Sequence, residues 1–192
     1  MIVFISGGVR SGKSQYAEQR ALQLSSQQNA QLYYIATSHV YDQEMKSRVE
    51  KHQQQRIRSG ANWKVYEQPR EIDQLLPLFQ NGDVILLDCL TTLLSNELFA
   101  GWETNEDKWK NDDFIREVET KIKRLFTTIA TSSYFVFIVS NELAYDVPLN
   151  EQGSNVYIKV LGRIHQFIVS LATEAILVEN GLACFKKGGE CT

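Results

Sequence analysis

The sequence predicts an α/β fold: a mostly parallel β-sheet covered by helices on both faces, closed at its C-terminal end by a hairpin. Three observations predict it. Short apolar runs recur at residues 2–6, 32–36, 84–88, 134–140 and 175–179. Longer stretches with helical spacing separate them, so successive strands are joined by crossovers, run parallel and are buried on both sides. The first run leads straight into Gly7, Gly8, Val9, Arg10, Ser11, Gly12, Lys13 and Ser14, which have the G-x-x-x-x-G-K-[ST] spacing of a P-loop.

Each element follows from its own residues. Ile2, Val3, Phe4 and Ile5 form a continuous apolar run, as a strand covered on both faces requires. After the glycine loop, Gln15-Tyr16-Ala17-Glu18-Gln19 opens the helix that a P-loop needs at its end. Further on, Phe114, Ile115, Val118, Ile122, Leu125, Phe126 and Ile129 recur at spacings of three and four, one face of an amphipathic helix. A similar stripe runs through Val156, Val160, Ile164, Phe167, Ile168 and Leu171. Both stripes are core-facing and carry no chemistry. Glu179-Asn180-Gly181-Leu182 forms a tight turn between two strands, so the sheet ends in a hairpin. Residues 98–113 mix Phe99, Trp102 and Trp109 with Glu103, Glu106, Asp107, Asp112 and Asp113. Two readings stand for them: a mobile flap over a substrate, or a surface segment that buries its tryptophans locally or against a partner subunit.

Composition bounds the function. At 192 residues, with no repeat, low-complexity tract or linker, residues 1–192 read as a single domain. A net charge of −3 and a pI of about 5.7 give no footprint for nucleic acid or an anionic membrane. No apolar run reaches membrane-spanning length and the N-terminus lacks the order of a signal peptide, so the expected location is cytoplasmic. Cys89, Cys184 and Cys191 form no C-x-x-C pair and read as reduced thiols.

The P-loop makes a nucleoside triphosphate the first ligand to consider. Its glycines let backbone N–H groups curl around phosphate oxygens at the positive end of the following helix. Lys13 reaches for the outer phosphates, and the Ser14 hydroxyl is a ligand for Mg²⁺. Asp88, ending the apolar strand 84–88 next to the glycine loop, is the expected metal-side carboxylate; the plainer alternative is a cap for the next helix. In the segment 42–56, Glu44, Arg48, His52 and Arg56 follow one another every fourth residue. At helical pitch they share one face, with an imidazole between two guanidinium groups. Charge patterning alone reads this as a solvated face. The catalytic alternative is that neutral His52 attacks the α-phosphorus of a nucleotide and expels pyrophosphate, with the arginines neutralising the transferring group and holding the imidazole unprotonated.

These motifs resemble those of the bifunctional adenosylcobinamide kinase/adenosylcobinamide-phosphate guanylyltransferases of cobalamin biosynthesis. Residues 5–14, with the Gly-Gly-x-Arg-Ser interior, are similar to that family's P-loop. The order Tyr34-Ile35-Ala36-Thr37-Ser38, Asp42, Glu44-Met45, Arg48, His52, Arg56 resembles its second motif, followed by Trp63 and Glu67. Asp88-Cys89-Leu90-Thr91, Asn96, Ser140-Asn141-Glu142 and Gly162-Arg163 carry the likeness through most of the chain. The resemblance implies a RecA-like P-loop domain assembled as a homotrimer, and a two-step enzyme. A nucleotide triphosphate, ATP or GTP, phosphorylates adenosylcobinamide; the histidine matching His52 then takes GMP from GTP and passes it to adenosylcobinamide phosphate. It also implies a GTP site lined by residues 7–14, by Ala36, Thr37 and Ser38, by Gln53, Gln54, Gln55 and Arg56, and by Glu67 and Asp88.

The chain departs from that family after Asn141-Glu142, where Leu143-Ala144-Tyr145-Asp146 replaces a glycine-rich turn, and again at residues 151–159, where arginines are missing. Two alternatives therefore stay open: another P-loop small-molecule kinase, or a variant that keeps only guanylyl transfer.

Overall fold

A computed structural model describes residues 1–38, 60–104, 106–143 and 151–189. Seven strands form one sheet: β1 Ile2–Gly7, β2 Leu32–Ala36, β3 Trp63–Glu67, β4 Val84–Asp88, β5 Phe135–Asn141, β6 Glu174–Glu179 and β7 Leu182–Lys187. Their order is β3-β2-β4-β5-β1-β6-β7. The first six run parallel, and β7 pairs antiparallel with β6. The apolar runs of the sequence thus become the central strands. β3 was not among them; it is an edge strand whose Lys64, Val65 and Glu67 are exposed, so no apolar run marks it.

Alternation along each strand divides the core in two. Val3, Ile5, Leu32, Tyr34, Val84, Leu86, Phe137, Val139, Ile176 and Val178 face one side, where they meet Ala17 and Ala21 of α1 (Lys13–Gln28). Phe4, Tyr33, Ile35, Ile85, Leu87, Val136 and Ile138 face the other. That side is covered by α2 (Leu90–Leu98), α3 (Asp112–Ala130) and α4 (Gln152–Leu171). Both helical stripes read from the sequence lie here: Val118, Ile122, Phe126 and Ile129 of α3 and Val160, Ile164 and Ile168 of α4 are buried.

Helix ends are set by local chemistry. The Asn111 side chain accepts hydrogen bonds from the N–H groups of Asp113 (2.8 Å) and Phe114 (3.3 Å), capping α3 with Asp112 and Asp113 in its first turn, where carboxylates complement the helix dipole. α1 ends at Asn29, in the left-handed conformation with φ 49°. The hairpin turn has Asn180 at φ 51° and Gly181 at φ 80°, the pair of positive values a type I′ turn requires.

Residues 98–113 pack in part. The Phe99 ring lies 6.3 Å from Trp109, edge to face, and 6.2 Å from Tyr157 of α4, stacked, so Trp109 is held locally while Trp102 stays 63% exposed.

Candidate nucleotide site

In a parallel sheet the C-terminal ends of the strands share one edge, and ligands bind there. The described candidate residues gather along it. The glycine loop follows Gly7 of β1 and leads into α1; Ala36 ends β2, opposite both Glu67 of β3 and Asp88 of β4. Glu67 lies four strands from β1 in the order of the sheet, about 19 Å at the usual inter-strand spacing. His52, Gln53, Gln54, Gln55 and Arg56 lie outside the described residues.

The loop holds its shape by internal bonds. Ser11 N–H donates to the Gly8 carbonyl at 3.1 Å, and Tyr16 N–H to that of Gly12 at 3.0 Å. Arg10 (φ 63°) and Gly12 (φ 93°) adopt the left-handed conformation on either side of Ser11, an alternation that turns successive N–H groups into an anion-binding concavity. Gly7 admits no side chain: a Cβ there would stand 2.3 Å from the Val178 carbonyl oxygen of β6 and 2.6 Å from Ser11 Oγ. The buried Ser11 hydroxyl finds no hydrogen-bond partner among the described residues.

Lys13, only 7% exposed, folds back over the loop and donates from Nζ to the Gly8 carbonyl at 2.9 Å. Burial pushes its pKa down, and the nearby Asp88 and Cys89 partly offset this. The carboxylate of β4 thus lies near enough to the loop lysine to favour its charged form.

Sequence reasoning placed the Asp88 end of its strand next to the glycine loop, without saying which strands lie side by side. The sheet inserts β5 between β1 and β4, because β1 pairs with β5 and β6 while β4 pairs with β2 and β5. Two consequences follow. Asn141, at the tip of β5, stands opposite Gly7, and Glu142 N–H donates to the Gly7 carbonyl at 2.9 Å. The sequence reading had given neither residue a role at the site, since strand order is not written in any local motif.

A polar network braces Asp88 and the end of β2. Tyr34 Oη donates to Asp88 Oδ2 at 3.0 Å. Fully buried Thr37 accepts from Cys89 N–H and donates to the Cys89 carbonyl, both at 2.8 Å. Asn96 Nδ2 donates to the carbonyls of Thr37 (2.8 Å) and Pro69 (3.0 Å), tying α2 to the segments that follow β2 and β3. Asn141 Nδ2 donates to Thr91 Oγ1 at 3.0 Å and Tyr157 Oη to the Thr91 carbonyl at 2.8 Å, while Thr91 Oγ1 lies 2.9 Å from Cys89 Sγ. Burial, and secondarily Asp88, push the Cys89 thiol pKa up, so Cys89 is a neutral packing group here. His165 is elsewhere: its Nε2 meets Ser140 Oγ at 2.7 Å beneath the sheet, against Phe4.

The described residues supply a backbone anion cradle with Lys13 folded over it, and Ser14 and Asp88 carry oxygen donors of the hard kind that a cation such as Mg²⁺ prefers. A sequence profile described as cobinamide kinase / cobinamide phosphate guanyltransferase matches residues 3–185. The chain belongs to this family. Family members similar to it include the bifunctional adenosylcobalamin biosynthesis protein CobU of Escherichia coli, 32% identical over 184 residues, covering 95% of this chain and 97% of that protein. CobU of Salmonella typhimurium is also 32% identical over 184 residues, with the same coverage. CobP of Pseudomonas aeruginosa is 30% identical over 186 residues, covering 96% of each chain. Among solved structures, a KaiC-like protein of Pyrococcus horikoshii superposes with a TM-score of 0.51 at 11% identity, over 98% of this chain and 79% of that one. At that identity the likeness speaks for the fold alone, which is the RecA-like P-loop arrangement.

Proposed function

We propose that this chain phosphorylates adenosylcobinamide and transfers GMP from GTP to adenosylcobinamide phosphate, giving adenosylcobinamide-GDP and pyrophosphate. One observation carries the reading: in a member of this family, residues 7–14, 36–38, 67 and 88 stand along a single sheet edge. In the kinase step the aminopropanol hydroxyl attacks the γ-phosphorus of ATP or GTP and the nucleoside diphosphate leaves. In the transfer step a neutral nitrogen of His52 attacks the α-phosphorus of GTP; the P–N bond forms as the bond to pyrophosphate breaks. A phosphate oxygen of adenosylcobinamide phosphate then attacks the same phosphorus, and the bond to His52 breaks. The glycine loop and Lys13 serve both steps, holding the outer phosphates in the first and the departing pyrophosphate in the second. Ser14 and Asp88 would hold Mg²⁺, which supplies charge neutralisation to the phosphates. Glu67, about 19 Å along the edge, and residues 36–38 and 53–56 would receive the nucleoside end.

The reading treats residues 1–192 as one nucleotide-binding and transferase unit in the cytoplasm, assembled as a homotrimer; light scattering checks the last. Among the described residues no helix is long and apolar enough to cross a membrane. The chemistry is tested with GTP labelled at the α-phosphate, followed by denaturing electrophoresis. Label retained by the protein, stable to alkali, lost in acid and absent from His52→Ala supports the histidine intermediate. A protein that binds GTP yet takes up no label sinks the guanylyl-transfer reading and favours a γ-phosphoryl kinase or a non-catalytic GTP-binding module.

A further inference from the structure

We infer that the β6–β7 turn, through the backbone N–H of Gly181, is a positioning element for the phosphate loop. The inference rests on the P-loop reading proposed above and adds to it a residue 168 positions from Lys13.

Gly181 N–H donates to the Ser11 carbonyl at 2.9 Å. In a type I′ turn the second central residue keeps its N–H outside the hairpin ladder, and here the ladder closes at Glu179 opposite Leu182. The free donor is spent on the loop. A trans peptide unit is planar, with its C=O and N–H pointing in opposite directions. Drawing the Ser11 carbonyl toward the hairpin therefore aims the Gly12 N–H away from it. Gly12 is also the left-handed residue that completes the concavity (φ 93°), and a Cβ on it would lie 3.3 Å from Gly181 Cα, so loop and turn touch backbone to backbone. The same hairpin backs the start of the loop, where the Val178 carbonyl occupies the space beside Gly7. Loop shape is thus imposed from outside as well as by its own Ser11-to-Gly8 bond.

The test compares Gly181→Pro, which lacks the donor and whose ring, locking φ near about −65°, also opens a turn that stands at φ 80°, with Gly181→Ala, which keeps the donor under the strain of a positive φ. Magnesium pyrophosphate binding is measured by calorimetry, with Michaelis constants for GTP and for adenosylcobinamide phosphate alongside. Both variants melt lower than wild type. Gly181→Pro is expected to weaken pyrophosphate binding at least about fivefold, the worth of one neutral hydrogen bond to which the opened turn adds, and to raise KM for GTP while leaving that for adenosylcobinamide phosphate unchanged; Gly181→Ala stays within about twofold. Equal weakening in the two variants, or wild-type binding by a folded Gly181→Pro, overturns the inference. Should the proline variant not fold, wild-type protein labelled with ¹⁵N-glycine decides: the Gly181 amide shifts and gains exchange protection when pyrophosphate is added, and an unmoved amide overturns the inference. Wild-type protein that fails to bind pyrophosphate, or a Lys13→Met variant that binds it equally well, brings down the P-loop reading and this inference with it.

Discussion

Replacing Lys13 by methionine separates binding from folding at the loop, because the two effects have opposite signs. In the free protein Lys13 is 7% exposed and burial holds its pKa below the usual lysine value, partly offset by Asp88 and Cys89. A lysine whose folded pKa lies below its unfolded one opposes folding while charged, and the penalty fades only as pH rises through the folded value toward about 10.5. Removing the charge at pH 7.5 therefore lifts a penalty. What is lost is one bond to the Gly8 carbonyl, which keeps its second donor, Ser11 N–H. Unfolding stability should stay within about 1 kcal/mol of wild type or rise. Binding goes the other way, since a charge-assisted bond to phosphate is worth about 1.5–3 kcal/mol, or roughly 10- to 150-fold in Kd. Urea melts with and without GTP read both effects. At a GTP concentration of about 100 times the wild-type Kd, ligand should stabilise wild type by about 2.7 kcal/mol and a variant weakened about 100-fold by about 0.4 kcal/mol. Equal GTP-induced stabilisation in the two proteins, or a ligand-free variant weaker by more than about 1 kcal/mol, would refute the reasoning.

Three other predictions follow from the same geometry. Thr37→Val leaves the Cys89 N–H without its acceptor, while the Cys89 carbonyl keeps Leu93 N–H as donor; urea unfolding should show a loss of about 1–3 kcal/mol with an unchanged m-value. Gly7→Ala forces a Cβ to within 2.3 Å of the Val178 carbonyl, so the thermal midpoint should fall and GTP binding with it; wild-type binding by this variant would show that the loop tolerates displacement from β6. Burial, opposed by Glu142, lowers the His165 pKa, so the unfolded chain takes up a proton near pH 6.5 that the folded one resists. Stability should fall as pH drops from 7.5 to 5.5, and less steeply in His165→Gln, as equilibrium urea midpoints across that range would show.

The strands that carry the core were legible because burial on both faces demands runs such as Val84-Ile85-Leu86-Leu87, and the hairpin because Asn180-Gly181 suits positive φ at both positions. Edge strand β3 escaped, since most of its side chains are exposed and Trp63-Lys64-Val65-Tyr66-Glu67 shows no apolar run. At the site, the loop and Asp88 were readable from spacing and strand ends. Asn141, Thr91 and Tyr34 stood in the sequence only as points of family likeness; their places at the site were not readable, because these depend on which strands lie side by side. β5 between β1 and β4 is a fact of topology, and only pairing across about 50 to 140 residues puts Asn141 beside Gly7 and near Asp88.

The strand order also dictates when the loop can exist. β1 is the earliest strand in sequence, yet its two neighbours are β5 and β6, drawn from residues 135–141 and 174–179. A chain growing from its N-terminus presents the loop sequence first and the surfaces that shape it last. Pairing at that separation is slow for entropic reasons. A nascent chain or C-terminal truncation ending before residue 174 would carry every residue of the phosphate motif with one flank of its strand bare, so binding competence should arrive late in synthesis, with the sixth strand and the Gly181 turn that follows it.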